Sequence, residues 1–155
     1  MSTAATPAST RVMNLAHFVT QARLRGPDDV ALVLRDRTWS WAELDARIDA
    51  MAAALQDLGV VKGDRVLVQS QNCNQMFEAM FACFRVGAVY VPMNFRQTPE
   101  DVAFQSQVAG AKGMICNEIF PDHAAAATDV AFRIVIGEAD WGRSYEALVE
   151  AYMGR

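Results

Sequence analysis

The sequence predicts an α/β fold, an open and mostly parallel sheet flanked by helices, on three observations. Short apolar runs recur at Arg65–Gln69, 88–91, 113–116 and Phe132–Ile136; segments with apolar residues every three or four positions lie between them; and the connections are only a few residues long. Runs that are continuous rather than alternating belong to strands covered on both faces, as in a parallel sheet. A chain of 155 residues that is 52% hydrophobic has the size of one domain and ample material for a core. We place a flexible leader over residues 1–12 and a single α/β domain over 13–155.

The elements follow in chain order. Residues 1–10 are small and polar, after which Val12, Leu15, Phe18 and Val19 are spaced for a short amphipathic helix. Gly26-Pro27-Asp28-Asp29 marks a turn, and the apolar run Val30–Leu34 and residues 38–40 flank Arg35-Asp36-Arg37 as a hairpin. Ser40 and Glu43 form a capping box ahead of a long helix. Its Trp41, Leu44, Ile48, Met51, Leu55 and Leu58 share one face, and Gly59 supplies the left-handed stop. After the strand Arg65–Gln69, Asn74 is expected to cap a helix that turns Met76, Phe77, Met80, Phe81 and Phe84 inward and ends at Gly87. Residues 88–91 make the next strand, before Pro92. Thr98, Pro99 and Asp101 then start a helix running to about Ala109, with threonine as cap and proline at the first helical position. Residues 113–116 and Phe132–Ile136 are two more strands, separated by a weaker helix from Ile119 through the alanines at 124–127. Ser144 caps a last helix to Tyr152.

Composition excludes several function classes. Eighteen acidic and fourteen basic residues give a net charge of −4, without the basic footprint of a nucleic-acid binder. Cys73, Cys83 and Cys116 form no C-x-x-C pair, and His17 and His123 are about a hundred positions apart with neither within a few residues of a cysteine, so neither a disulfide framework nor a zinc site is expected. The longest uncharged apolar run, 86–93, is far shorter than the roughly 20 residues of a membrane helix. A reduced, cytoplasmic chain with no metal centre is expected.

Ligands of α/β sheets sit at the carboxyl ends of strands, here after Gln69, Val91, Cys116 and Ile136. No G-x-G-x-x-G follows a strand and no Walker loop occurs, so nothing points to nucleotide binding by this chain alone. The 70–74 loop at a helix start is read as bonding its own backbone and caps, although an anion would also fit there. Cys73 has no base nearby and reads as a structural thiol; Met76, Met80 and the three phenylalanines read as core, the other option being an adaptable binding face. His17 and His123 have no serine or carboxylate arrangement. Of the carboxylate pairs, Asp28-Asp29, Asp45 with Asp49 on the outer face of the long helix, and Glu100-Asp101, none reads as an acid/base pair.

Strung together, the segments resemble the N-terminal part of the AMP-forming acyl-CoA synthetases, the adenylate-forming acid–CoA ligases. Thr38-Trp-Ser-Trp-Ala-Glu-Leu44 is similar to the family's early aromatic block, and Leu58-Gly-Val-Val-Lys-Gly-Asp-Arg-Val66 to its turn into the first buried strand. Phe84-Arg-Val-Gly-Ala-Val-Tyr-Val-Pro-Met-Asn94 is similar to its glycine followed by Ala-x-Tyr-x-Pro-x-Asn. Ala109-Gly-Ala-Lys112 fits, and Ser144-Tyr-Glu-Ala-Leu148 is a looser echo. Gln105 and Ser106 depart from the apolar residues the family carries inside the helix that starts at Thr98.

The resemblance implies a parent enzyme that adenylates a carboxylic acid, fatty or aromatic, with Mg-ATP, releases pyrophosphate and passes the acyl group to coenzyme A. The family's phosphate loop, its aromatic-Gly-x-Thr-Glu block, its ribose-binding aspartate, its hinge and its catalytic lysine have no counterparts in this sequence. The chain is therefore expected to be an N-terminal scaffold, an incomplete piece of a larger ligase domain. It is expected to hold no catalytic residue, to bind no ATP, Mg or CoA alone, and to take the rest of the ligase polypeptide as its partner. Exposed apolar surface would then favour self-association. Tyr90, Asn94 and Arg96 flank a strand's carboxyl end and are the candidates for the substrate cleft, against a loop merely braced by Pro92 and Asn94. Two other readings are a stand-alone interaction module of the same fold and a flavodoxin-like small-ligand domain.

Overall fold

The computed structural model describes residues 14–154. The chain runs α1 (His17–Arg25), β1 (Val30–Leu34), β2 (Arg37–Ser40), α2 (Trp41–Asp57), β3 (Arg65–Gln69), α3 (Asn74–Val86), β4 (Val89–Pro92), α4 (Pro99–Ala109), β5 (Gly113–Asn117), α5 (Pro121–Ala126), β6 (Phe132–Ile136), β7 (Arg143–Ser144) and α6 (Tyr145–Tyr152). Strands β3 to β7 form one parallel sheet in the order β4-β3-β5-β6-β7, and β1 and β2 pair separately as an antiparallel hairpin.

Strands β3, β5 and β6 are covered on both faces, which is why they read as apolar runs, whereas the edge strand β4 is partly exposed. Val66, Val68, Ile115 and Ile134 face α2, α3 and α6 through Leu44, Ile48, Met51, Ala79, Ala82 and Tyr145. Leu67, Met114 and Cys116 face α4 and α5 through Val102, Ala124 and Ala127. Gly113 lets β5 lie close to its neighbour: the Phe132 ring is 2.0 Å from where a Cβ would stand.

Both predicted capping boxes form. Ser40 Oγ accepts from the Glu43 N–H at 3.2 Å while Glu43 Oε2 accepts from the Ser40 N–H at 2.8 Å; Thr98 and Asp101 do the same.

Several expectations need correcting. Helix α1 begins at His17, and Leu15 and Phe18 are exposed; of the described residues expected to make it amphipathic, Leu15, Phe18 and Val19, only Val19 is buried. Val12 and the leader lie outside the described residues. Besides Val19, an ion pair anchors α1: Arg23 reaches Asp45 on α2 at 2.5 Å. Asp45 is accordingly buried, not on the outer face of its helix, and Arg85 of α3 holds both it and Asp49.

The cap of α3 is Cys73, whose Sγ accepts from the Met76 N–H at 3.4 Å; Asn74 is the first helical residue and donates to Glu78 Oε1 at 2.9 Å. The inner face of α3 is Ala79, Ala82 and Cys83, small residues set against Ala50 and Ala54 of α2, so the two helices approach closely. Its methionines and phenylalanines are left half-buried at the side.

Helix α5 starts at Pro121, leaving Ile119 exposed in the preceding turn. Helix α4 packs through Val102 and Ser106 and leaves Phe104 and Val108 exposed. The two-residue β7 is too short for any periodicity to announce.

Candidate functional site

From β3 the chain steps out to β4 and then crosses back over β3 to β5, so the strand order reverses at β3. Ligands of open α/β sheets bind in the crevice at the carboxyl ends of such strands. Four loops lie at that end: 70–73 after β3, 93–98 after β4, 118–120 after β5 and 137–142 after β6.

The 70–73 loop spends its polar groups on itself. Ser70 Oγ donates to the Gln71 carbonyl at 2.8 Å and lies 3.4 Å from Cys73 Sγ, which caps α3. Cys83 and Cys116 are buried, and burial pushes each thiol up to about 12, so neither is a nucleophile at neutral pH.

The loop after β4 is braced more firmly. Asn94 Oδ1 accepts from the Arg96 N–H at 3.0 Å, the Asn94 N–H donates to Gln97 Oε1 at 3.0 Å, and the Gln97 N–H returns to the Asn94 carbonyl at 3.1 Å. Beneath it Gln69, the last residue of β3 and 0% exposed, donates from Nε2 to the Asn94 carbonyl at 3.4 Å. From the side, His123 of α5 donates through Nε2 to the Gln97 carbonyl at 2.7 Å, its ring edge-on to Phe120. A carbonyl only accepts, so Nε2 carries the proton. Arg96 lies exposed with its guanidinium 4.7 Å above the Phe95 ring. No carboxylate pairs with it among the described residues.

Tyr90 stands apart from Asn94 and Arg96. Its side chain is on the α3 side of the sheet, where burial raises its pKa, and it lines a groove of about 270 Å³ with Leu32, Leu34, Cys73, Met76, Phe77 and Met80. No charged side chain lines this groove, and its polar lining is Asn72, Asn74 and the Tyr90 hydroxyl. The sequence flagged the methionine and phenylalanine face but read it as core. Leu32 and Leu34 reach it only because the hairpin folds back, which no local pattern announces.

A second polar centre escaped the sequence entirely. Arg47 of α2 donates to Glu78 from Nε at 2.7 Å and from Nη2 at 3.0 Å, and Nη2 also reaches Glu146 of α6 at 2.8 Å. Asn74 and Gln75 complete the ring of bonds around the two carboxylates, and the wholly buried Tyr145 lies beside Glu78, which with burial raises its pKa well above the usual value. Burial opposes the charge of Arg47, but the hydrogen bonds from both glutamates outweigh it and raise its pKa. This ring ties three helices together behind the sheet.

Among the described residues no group of three or more His, Cys, Asp and Glu is placed to hold a metal ion. No helix is long and apolar enough to cross a membrane. What the loop cluster provides is one unpaired cation on a fixed loop.

Comparison with known proteins accords with this architecture. The chain is similar to a 2,3-dihydroxybenzoate-AMP ligase of Bacillus subtilis (strain 168), 33% identical over 122 residues that cover 73% of the chain and 23% of that protein. Among solved structures, a benzoate CoA ligase from Burkholderia xenovorans LB400 shares the fold at TM-score 0.81 and 21% identity, over 92% of this chain and 29% of that one. The Klebsiella oxytoca NpsA N-terminal subdomain in complex with anthranilyl-AMSN matches at TM-score 0.68 and 25% identity, over 92% of this chain and 34% of that one. The chain thus spans less than a quarter of the length of the first curated relatives it matches. The family model described as "AMP-binding enzyme" matches residues 18–150, and the chain belongs to that family.

Proposed function

We propose that the chain is the N-terminal scaffold of an enzyme that activates a carboxylic acid with ATP. In that reaction a carboxylate oxygen bonds to the α-phosphorus as pyrophosphate leaves, and the thiol of coenzyme A then displaces AMP. The observation that carries this reading is the family match over residues 18–150, joined to a relative named for the formation of an acyl-AMP bond. The reaction needs a phosphate cradle and charge stabilisation, and at the carboxyl end of the sheet the described loops offer Arg96 toward the second. We therefore place the chemistry outside these 155 residues and read the chain as inactive alone. Its contribution is structural: a two-faced sheet whose carboxyl end forms one wall of a cleft, with Asn94 and Arg96 on that wall and Tyr90 behind it. We place the protein in the cytoplasm, in keeping with its three free cysteines.

ATP–pyrophosphate exchange tests this. The purified chain should stay at background with 2,3-dihydroxybenzoate, benzoate and a long-chain fatty acid. Exchange above background with any of them overturns the inactive-scaffold reading. An antibody against the chain should detect a native polypeptide several times its mass; a native band of the chain's own size would replace the scaffold with a stand-alone interaction module.

A further inference from the structure

We propose that Gln69 and His123 are positioning residues that hold the 94–97 loop so that Arg96 meets an oxyanion of the substrate at the strand-order reversal. The inference rests on the reading of Arg96 as a cleft residue and adds the device that fixes it. Three observations carry it. The first is the cost of Gln69: its side chain is wholly buried at the end of a central strand, and its Oε1 has no hydrogen-bond partner among the described residues. A buried amide with half its bonding capacity unused destabilises a fold relative to an apolar side chain, and such groups persist where their position has a use. The one bond Gln69 does make goes to the Asn94 carbonyl.

The second observation is that His123 grips the other end of the same loop, through the Gln97 carbonyl. Between these grips the Asn94 and Gln97 bonds close the turn, and the Arg96 N–H is pinned to Asn94 Oδ1. Gln69 of β3, the loop after β4 and His123 of α5 are thus joined by a continuous chain of hydrogen bonds around the exposed Arg96. The third observation is Arg96 itself. Its guanidinium rests on the Phe95 ring and has no acidic partner among the described residues. A cation held on a preset loop gives up less freedom on meeting an anion than one on a loose loop.

The test is a ¹⁵N NMR titration of the full chain at constant ionic strength with two probes, inorganic pyrophosphate and benzoate. At least one should shift the 94–97 amides and the Arg96 Nε–H saturably, and Arg96→Ala should abolish the response; the responding probe identifies which end of the substrate the loop receives. Gln69→Leu and His123→Phe should weaken apparent affinity by roughly three- to tenfold. His123→Gln, which keeps a side-chain donor, should restore most of it. The histidine pair keeps the test decisive if Gln69→Leu does not fold. Absence of a saturable shift with either probe overturns the inference, as does wild-type affinity in both clamp variants. Neither result touches pyrophosphate exchange or native size, on which the reading of the whole protein stands.

Discussion

At the residue scale, the least replaceable group is Arg47. Glu78 is 0% exposed, and Arg47 is its cationic partner at 2.7 Å. Truncating Arg47 leaves an uncompensated buried charge, so Arg47→Met should destabilise the fold by about 3–5 kcal/mol. The double variant Arg47→Met/Glu78→Leu removes both charges and should recover most of that loss in urea titration. If the double variant is no better than the single, packing and not charge is what Arg47 supplies. Glu146 gives a pH signature to the same centre. Burial raises its pKa, but the hydrogen bonds from Arg47 and Gln75 outweigh this and hold it below its usual value of 4.5. A carboxyl depressed in the folded state contributes stability that is complete above its unfolded pKa and disappears as pH falls through the folded one. Stability should therefore decline below about pH 4.5, and Glu146→Gln should flatten that part of the profile; an unchanged profile would exclude Glu146 as its source. Capping was legible at this scale where oxygen does it, as at Ser40 and Thr98, because a capping box is a four-residue pattern. The sulfur cap at Cys73 was not, since asparagine next to it is the better capping residue on propensity. Nor was the pairing of Arg47 with Glu78, 31 positions apart, because only the crossing of α2 and α3 brings them together.

At the element scale, every strand of the main sheet except β7 was legible: burial on both faces forces an apolar run in β3, β5 and β6, and β4 carries one although it is a partly exposed edge strand. The orientation of α3 was not. Reading the largest apolar side chains as inward puts Met76, Phe77 and Met80 in the core, but close helix–helix approach selects Ala79, Ala82 and Cys83 for that face. The two orientations predict opposite mutational costs. Ala82 is 0% exposed against α2, so Ala82→Leu should overpack that contact and cost about 1–3 kcal/mol or more. Met80 lines the open groove, so Met80→Ala should cost well under the roughly 2–5 kcal/mol of a core methionine truncation. Thermal unfolding of the two variants decides it: a Met80 loss in the core range would restore the inward-facing reading. The candidate site divides the same way. Asn94 and Arg96 could be placed at a strand's carboxyl end because strand ends are legible, whereas the bonds of Gln69 and His123 to that loop could not be read, because each joins residues remote in sequence.

At the scale of the whole molecule, the arrangement of exposed apolar groups bears on how the chain exists in solution. Core material is not short, yet Phe104 and Val108, one turn apart on α4, are 66% and 70% exposed while Ser106 of the same helix is buried at 2%. The helix thus turns its larger apolar residues outward and a serine inward, the reverse of an amphipathic surface helix. Single exposed apolar residues are ordinary, but a phenylalanine and a valine adjacent on one helical face form a patch that water does not favour. In a larger enzyme another segment would cover that patch; in the isolated chain a second copy is the available cover. Sedimentation velocity should therefore show concentration-dependent association of the 155-residue chain, and Phe104→Glu with Val108→Lys should return it to monomer without loss of thermal stability. The charge pair is chosen at i and i+4, so the new side chains support the helix they replace on. A wild-type chain that stays monomeric at high concentration would show that α4 is a tolerated solvent face, and would remove the main physical reason for reading this sheet as one wall of something larger.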